Sequence, residues 1–536
     1  MTDTTIYAGA SFMTGDPLTP RISCVAVDGG RIVATGEYET VRAALRGSRV
    51  VDLGGGFVLP GFNDCHMHIL SFGLGLGRVD VSPAAAPSIE AIQERIRERM
   101  VTSKVGWLLG RGYNQNLLAE GRHPNRDDLD AVTTERPVVL SHTSGHVLTA
   151  NSRAIELAGI TSQTDDPPGG EIERDESGRP TGVLKETARQ LLSAMIPEPT
   201  MAEATEAILA ASRALAVEGI TSASDAATGS PETGTREFDA YRAAFETGQL
   251  VTRIELMPQI TLVAPEDGPT LQPADFGCSV NPDWLRIGSV KIFSDGALTT
   301  RTAALREPYC DAPTTGLLTW PPERLRELIR RASASGWQIA THAIGDRAID
   351  AVLDALEAAR EGGERDSRRH RIEHCTILDR MALARIKSLA IVPVLQPEDI
   401  AVLGDAYEPA LGPERAANNS PVGWFEEEEI PIAFSSDRPV TPGNPLVGIR
   451  AAVERRTASG RVLGPAHRIS AQRAVMHYTG GAAYATRTET VKGCLAPGML
   501  ADMVVLDRDI TSCPSEEITE ACVITTIVDG RLVFPD

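Results

Sequence analysis

Two histidines stand two residues apart in Pro60-Gly61-Phe62-Asn63-Asp64-Cys65-His66-Met67-His68, directly after a short apolar run. On an extended segment, residues i and i+2 face the same side, so His66 and His68 can hold one metal ion between them. Three further groups with metal chemistry end later apolar runs. His342 ends Gln338-Ile339-Ala340-Thr341, His374 ends Arg371-Ile372-Glu373, and Asp437 ends Ile432-Ala433-Phe434-Ser435-Ser436. Lys291 sits within Ser289-Val290-Lys291-Ile292-Phe293. Neutral imidazole suits Zn²⁺, and carboxylates suit harder ions. An ammonium cannot ligate a cation, but a lysine carboxylated by CO₂ offers two anionic oxygens. Burial in an apolar strand favours the neutral amine which that reaction needs. The alternative for Lys291 is a buried ion pair with an acid such as Asp295. Two divalent ions held together polarise a carbonyl or phosphoryl oxygen and generate hydroxide near neutral pH.

These residues need elements that bring them together. Between the two ends of the chain, apolar runs alternate with amphipathic helical patterns, which predicts βα units and a parallel sheet. Eight strands are expected, at 57–62, 220–224, 253–257, 287–293, 338–341, 370–373, 391–395 and 430–434. Eight is the number that closes a (β/α)8 barrel, whose catalytic groups gather at the C-terminal ends of its strands. Thr200 and Glu203 have capping-box spacing for a helix over 201–217. The stretch between the first two strands is too long for one helix, so residues from about 73 to 200 are read as an inserted lid or subdomain. Residues 5–58 and 490–536 are both β-rich, with turns at Asp28-Gly29-Gly30 and Asp529-Gly530, and suggest one small sheet domain built from both ends.

In order and spacing the motifs resemble the amidohydrolase superfamily, specifically the amidohydrolase 3 family, which includes N-substituted formamide deformylase. The resemblance rests on P-G-F-N-D-C-H-M-H (60–68), V-K-I-F-S-D-G-A-L (290–298), T-H-A-I-G-D-R-A (341–348), R-I-E-H (371–374), S-S-D-R-P-V (435–440) and K-G-C-L-A-P-G-M-L-A-D-M-V-V-L-D (492–507). It implies an α/β fold: a (β/α)8 barrel over 58–489 carrying the insertion, and a small β-sandwich formed by 1–57 and 490–536. It further implies that His66 and His68 bind the more buried metal and His342 and His374 the second, with carboxylated Lys291 bridging them. Asp437 would ligate the first metal and shuttle the proton. His146, in Ser141-His142-Thr143-Ser144-Gly145-His146, would wall the substrate pocket, or be satisfied by local hydrogen bonds. Asp295 and Arg301 would shape the pocket after the fourth strand, or lie in a solvated loop. Arg438 stands where relatives commonly carry Trp; it either favours an anionic substrate or pairs with an acid of the insertion. Cys65 and Cys375, next to ligands, are read as packing residues.

The implied function is metal-dependent hydrolysis of a carbon–nitrogen bond other than a peptide bond, in a linear amide or N-substituted formamide. One or two Zn²⁺, or another divalent metal, would supply a metal-bound hydroxide, and Asp437 would carry its proton to the leaving amine. Two alternatives are a mononuclear deaminase of the same superfamily, which typically lacks the fourth-strand Lys, and an inactive binding or scaffold relative, which typically loses ligands. The resemblance implies a small-molecule substrate, with a homodimer as the family-style assembly. The 536 residues carry a net charge of −20, which argues against a nucleic-acid binder and disfavours anionic lipid. No apolar run is long enough to span a bilayer, the start lacks a signal peptide, and the eight cysteines form no C-x-x-C pair. Those features predict a cytoplasmic protein with reduced thiols. There is no G-x-S-x-G elbow, and Gly73-Leu74-Gly75-Leu76-Gly77 lacks the full dinucleotide fingerprint.

Overall fold

The computed structural model describes residues 4–102, 106–142, 147–167, 169–277, 281–360 and 367–535. The chain divides into two compact units, one of residues 1–72 with 208–536 and one of residues 73–207.

In the larger unit the early residues form one sheet by themselves and share a second with the residues beyond 500. One has four strands, in spatial order Arg31–Gly36, Cys24–Asp28, Thr5–Ala8, Arg49–Asp52. The other has six, in order Arg531–Phe534, Val523–Val528, Met503–Leu506, Phe57–Pro60, Ser11–Met13, Arg21–Ile22. Met503 pairs with Pro60 and Val505 with Val58 across an antiparallel ladder. Side chains of both sheets, among them Tyr7, Phe12, Val25, Val58, Met503 and Ile527, form one apolar cluster.

Among the described residues, the middle of the chain supplies nine parallel strands in two further sheets. The first contains β1 (Phe62–Met67), β2 (Ile220–Thr228), β3 (Arg253–Pro258) and β4 (Leu285–Ile287), each paired with the next. The second contains β5 (Val290–Phe293), β6 (Ile339–Ala343), β7 (Arg371–His374), β8 (Val392–Leu395) and β9 (Ala433–Phe434). β1, β3, β7 and β8 are buried along their whole length, the pattern of parallel strands covered on both faces. The covering helices show why. Pro322–Ala334 buries Leu325, Leu328, Ile329 and Ala332, and Asp346–Ala359 buries Ile349, Val352, Leu353 and Leu356, each on one helical stripe.

Two strand expectations are corrected. The run 57–62 is not one strand: Phe57–Pro60 belongs to the terminal sheet, and β1 starts at Phe62, so His66 lies within a strand and His68 just beyond it. The run 287–293 is divided into β4 and β5 at Gly288-Ser289. Gly288 passes so close to Glu255 that a Cβ there would lie 2.3 Å from its carboxyl carbon. The two sheets approach at both margins. Gln259 and Lys291 form a parallel bridge at one, and at the other Asp437 N–H donates to His66 O at 2.8 Å and His68 N–H to Arg438 O at 2.7 Å.

The unit of residues 73–207 contains a six-stranded sheet, ordered Gly170–Arg174, Pro180–Glu186, Val147–Ala150, Val138–His142, Leu108–Tyr113, Val79–Asp80. Helix Ile89–Thr102 buries Ile89, Ile92 and Ile96 in a cluster with Val79, Leu108 and Val138. The helix Met201–Val217 begins on its capping box: Glu203 N–H donates to Thr200 Oγ1 at 3.2 Å, and Thr200 N–H to Glu203 Oε2 at 2.8 Å. Among the described residues no helix is long and apolar enough to cross a membrane.

The start of β3 is fastened to the terminal sheets by a buried ion pair. Arg253 reaches both oxygens of Asp502, at 2.7 and 2.9 Å, with the two side chains 3% and 5% exposed. Removing one partner of such a pair strands the other charge. Arg253→Met is expected to lower the urea-unfolding free energy by about 3–5 kcal/mol, read from the shift of the denaturation midpoint at unchanged slope.

Candidate metal centre

β1 carries Asp64 and His66 on one side and Cys65 on the other, where Cys65 packs with Val392, Val394 and Ala433. His66 Nδ1 contacts Glu373 Oε2 in a very short hydrogen bond. Glu373 is fully buried and gripped by Arg371, which gives both of its oxygens a hydrogen bond at 2.8 Å. Burial alone would raise the Glu373 pKa, but Arg371 and His66 hold it well below the usual carboxylate range. Glu373 thus fixes the His66 ring and leaves its Nε2 facing the centre. There Nε2 lies 3.1 Å from Lys291 Nζ and 3.4 Å from Asp437 Oδ1.

The other histidines are held by the same logic. His68 Nδ1 donates to Ala226 O at 2.9 Å, and its Nε2 lies 3.3 Å from Asp437 Oδ1. Burial pulls the His68 pKa down, and the Asp437 carboxylate more than offsets this and raises it. His374 Nδ1 donates to Gln396 Oε1 at 2.8 Å, which turns Nε2 inward. Gln396 is itself fixed by donating to Ser435 Oγ at 2.8 Å. His342 Nε2 donates to Gly296 O at 3.0 Å, which leaves Nδ1 as the free lone pair. Burial lowers the His374 pKa to about 3 and drives that of His342 far down, so both rings are neutral, the state a ligand needs.

Asp437 completes the set. Burial would raise its pKa, but the neighbouring His66 and His68 hold it well below the usual carboxylate range. Its Oδ1 is shut off from solvent and makes no geometrically sound hydrogen bond, as expected of an oxygen positioned for a cation. His374 and Asp437 both adopt left-handed backbone, φ +70° and +54°. Simple alternation would put Glu373 and His374 on opposite faces of β7; the left-handed residue lets both reach the centre. Ligand atoms of His66, His374 and Asp437 lie within 4.8 Å of one another. The six expected ligands, His66, His68, Lys291, His342, His374 and Asp437, line one cavity of about 270 Å³. The donors suit a divalent metal: imidazoles that each turn one ring nitrogen inward, beside an ionised carboxylate.

Lys291 is buried, and burial lowers its pKa to about 8. It makes no ion pair with Asp295, whose carboxylate instead accepts backbone N–H groups from Ala304, Ile344 and Gly345. Arg301 is engaged with Asp311 and with Leu298 O, and its guanidinium lies over the Tyr309 ring. Arg438 pairs with Glu218 at 2.9 Å, not with an acid of the expected insertion, and stacks over Phe72. None of these three side chains is among those lining the cavity. His146 lies outside the described residues. Sequence reasoning passed over Glu373, Gln396 and Asp64. Glu373 was legible in principle, since a charged residue inside an apolar strand beside an expected ligand requires a buried partner. Nothing local marked Gln396.

Known proteins resemble this chain in sequence and in fold. The amidohydrolase family profile matches residues 49–534, and residues 24–47 match the imidazolonepropionase-like composite domain of bacteria. Protein LONG AFTER FAR-RED 3 of Arabidopsis thaliana is 33% identical, covering 99% of this chain and 91% of its own. The N-substituted formamide deformylase of Arthrobacter pascens is 30% identical, covering 98% and 97%. A crystal structure of an uncharacterized metal-dependent hydrolase from Pyrococcus horikoshii superposes with TM-score 0.78 at 26% identity, over 96% of this chain and 99% of that one. Fold and relatives define an α/β metal-dependent hydrolase. Within that class the chain belongs to the amidohydrolase family.

Partners that orient a ligating histidine typically contribute about 10–100-fold to metal affinity. Gln396→Leu, which removes the acceptor for His374 Nδ1, is expected to weaken Zn²⁺ binding by that factor in a competition titration against a chromophoric chelator. Unchanged affinity would show that Gln396 does not orient the ring.

Proposed function

We propose that the protein hydrolyses a carbon–nitrogen bond that is not a peptide bond, in a linear amide or an N-substituted formamide. One observation carries this reading: the Asp437 carboxylate, ionised and without a sound hydrogen-bond donor, stands between His66 and His68 at the floor of an otherwise largely apolar cavity. The 30% identity to a formamide deformylase supports the substrate class. In the same reading the nine central strands form one (β/α)8 barrel whose fourth strand is β4 and β5 together, with the terminal sheets as a sandwich and the unit of residues 73–207 as the insertion. The hydrogen bonds joining β1 to the Asp437 segment support closure.

Zn²⁺ is the metal proposed, held by His66, His68 and Asp437 and, at a second position, by His342 and His374, with Lys291 carboxylated between them. When bound, such ions polarise the substrate carbonyl and acidify water. The chain's own groups handle the rest. Asp437 takes a proton from the attacking water and delivers it to the nitrogen as the carbon–nitrogen bond breaks, releasing a carboxylic acid and an amine. Glu373 and Gln396 hold their histidines in the ligating tautomer throughout. The apolar walls Phe293, Leu298 and Leu403 exclude competing water.

Asp437→Asn is expected to keep most of the bound zinc and lose turnover of formamides by about 10²–10⁴-fold; full activity would sink the mechanism. Lys291 gives a pH signature. Its pKa is lowered to about 8, so the reactive neutral amine accumulates as pH rises through that value. At fixed dissolved CO₂, uptake of the second zinc equivalent should increase from pH 7 to 9 in wild type and be absent in Lys291→Ala, read by elemental analysis. A flat profile would remove the carboxylated bridge.

A further inference from the structure

The cavity contains a second carboxyl group that the chemistry above does not use. Asp399 lies on the short helix Glu398–Leu403 that follows β8 and lines the cavity with Leu403 and Tyr407. Its Oδ1 is closed off from solvent and has no hydrogen-bond partner. Among the described residues no protein group donates to either of its oxygens. The adjacent Glu398 is different: it accepts from Gly443 N–H at 2.7 Å and from the Thr441 hydroxyl at 3.3 Å, and it does not line the cavity. Buried polar atoms are nearly always satisfied, and an exception in a binding cavity calls for a partner that arrives with the ligand.

The surroundings say which partner. The charged groups that bear on Asp399 are Asp437 and Glu398, both acids, and together with burial they push its pKa well up. Among the described residues no cation compensates it. The wall beside it, formed by Leu403, Tyr407, Leu298 and Phe293, suits a methylene chain. We propose that Asp399 is a specificity residue of this cavity, binding a cationic nitrogen that the substrate carries away from its reacting amide. This rests on the hydrolase reading above. An aliphatic formamide or amide ending in an ammonium group would place its amide at the metal centre and its cation on Asp399, where the charge-assisted hydrogen bond supplies what the protein lacks.

The test compares two probes of equal length, N-(4-aminobutyl)formamide and N-pentylformamide, on zinc-loaded wild type and Asp399→Asn. Wild type is expected to favour the ammonium probe by about tenfold or more in kcat/KM, the factor of one charged hydrogen bond, and Asp399→Asn to bring the ratio near one. Because no protein group bonds to this carboxyl, the variant should unfold no earlier than wild type. A ratio near one in wild type, a ratio unchanged in the variant, or an equal preference for N-(4-hydroxybutyl)formamide would overturn the proposal. If neither formamide is cleaved, the hydrolase reading fails, and calorimetric titration with 1,4-diaminobutane still decides this one. Binding weakened about tenfold by Asp399→Asn upholds the site; equal or absent binding in wild type removes it.

Discussion

Glu373 is an ionised carboxylate with no access to water, and the centre is arranged around keeping it so. Isolated, such a charge would be far too costly to bury; Arg371 on one side and His66 on the other make it tenable. The arrangement has a chemical result beyond stability. Because Glu373 occupies His66 Nδ1, the ring can offer only Nε2, and Nε2 points at Lys291 and Asp437. Arg371 also donates to Cys65 O at 2.8 Å, so the same contact ties β7 to β1. A single ionic cluster thus joins two strands and orients a ligand.

The remaining ligands follow one pattern with different acceptors. His68 leans on a backbone carbonyl, His342 on another, and His374 on an amide side chain. Each acceptor takes one ring nitrogen and turns the other inward, and burial keeps the deeper rings neutral. The centre is therefore organised by hydrogen bonds made outside it, and its geometry does not depend on the ligands alone.

What the sequence revealed follows from the range of each interaction. The candidate ligands drew notice because metal chemistry restricts residue types and because most of them end apolar runs. The Thr200/Glu203 cap could be read because it depends on residues three positions apart. The break at Gly288 could not, since it depends on Glu255, a residue of another strand. The role of Phe57–Pro60 could not either, because its partner is Met503–Leu506 at the far end of the chain. The pocket residues were the least legible. Arg301 and Arg438 look like substrate contacts in sequence, yet fold places Asp311 and Glu218 within their reach. Asp399 drew no notice, because an unpartnered carboxyl shows only when every neighbour is known.

The pairing of Pro60 with Met503 also bears on how the chain is made. At typical synthesis rates of about 5–20 residues per second, the early strand leaves the ribosome tens of seconds before its partner exists. Throughout that interval Phe57–Pro60, all of it apolar, has an unfilled edge in the nascent protein. The α/β middle can begin to assemble from its own local contacts, while the six-stranded sheet must wait for Met503–Leu506. Until Met503–Leu506 has been made, that edge is open to pairing with another chain.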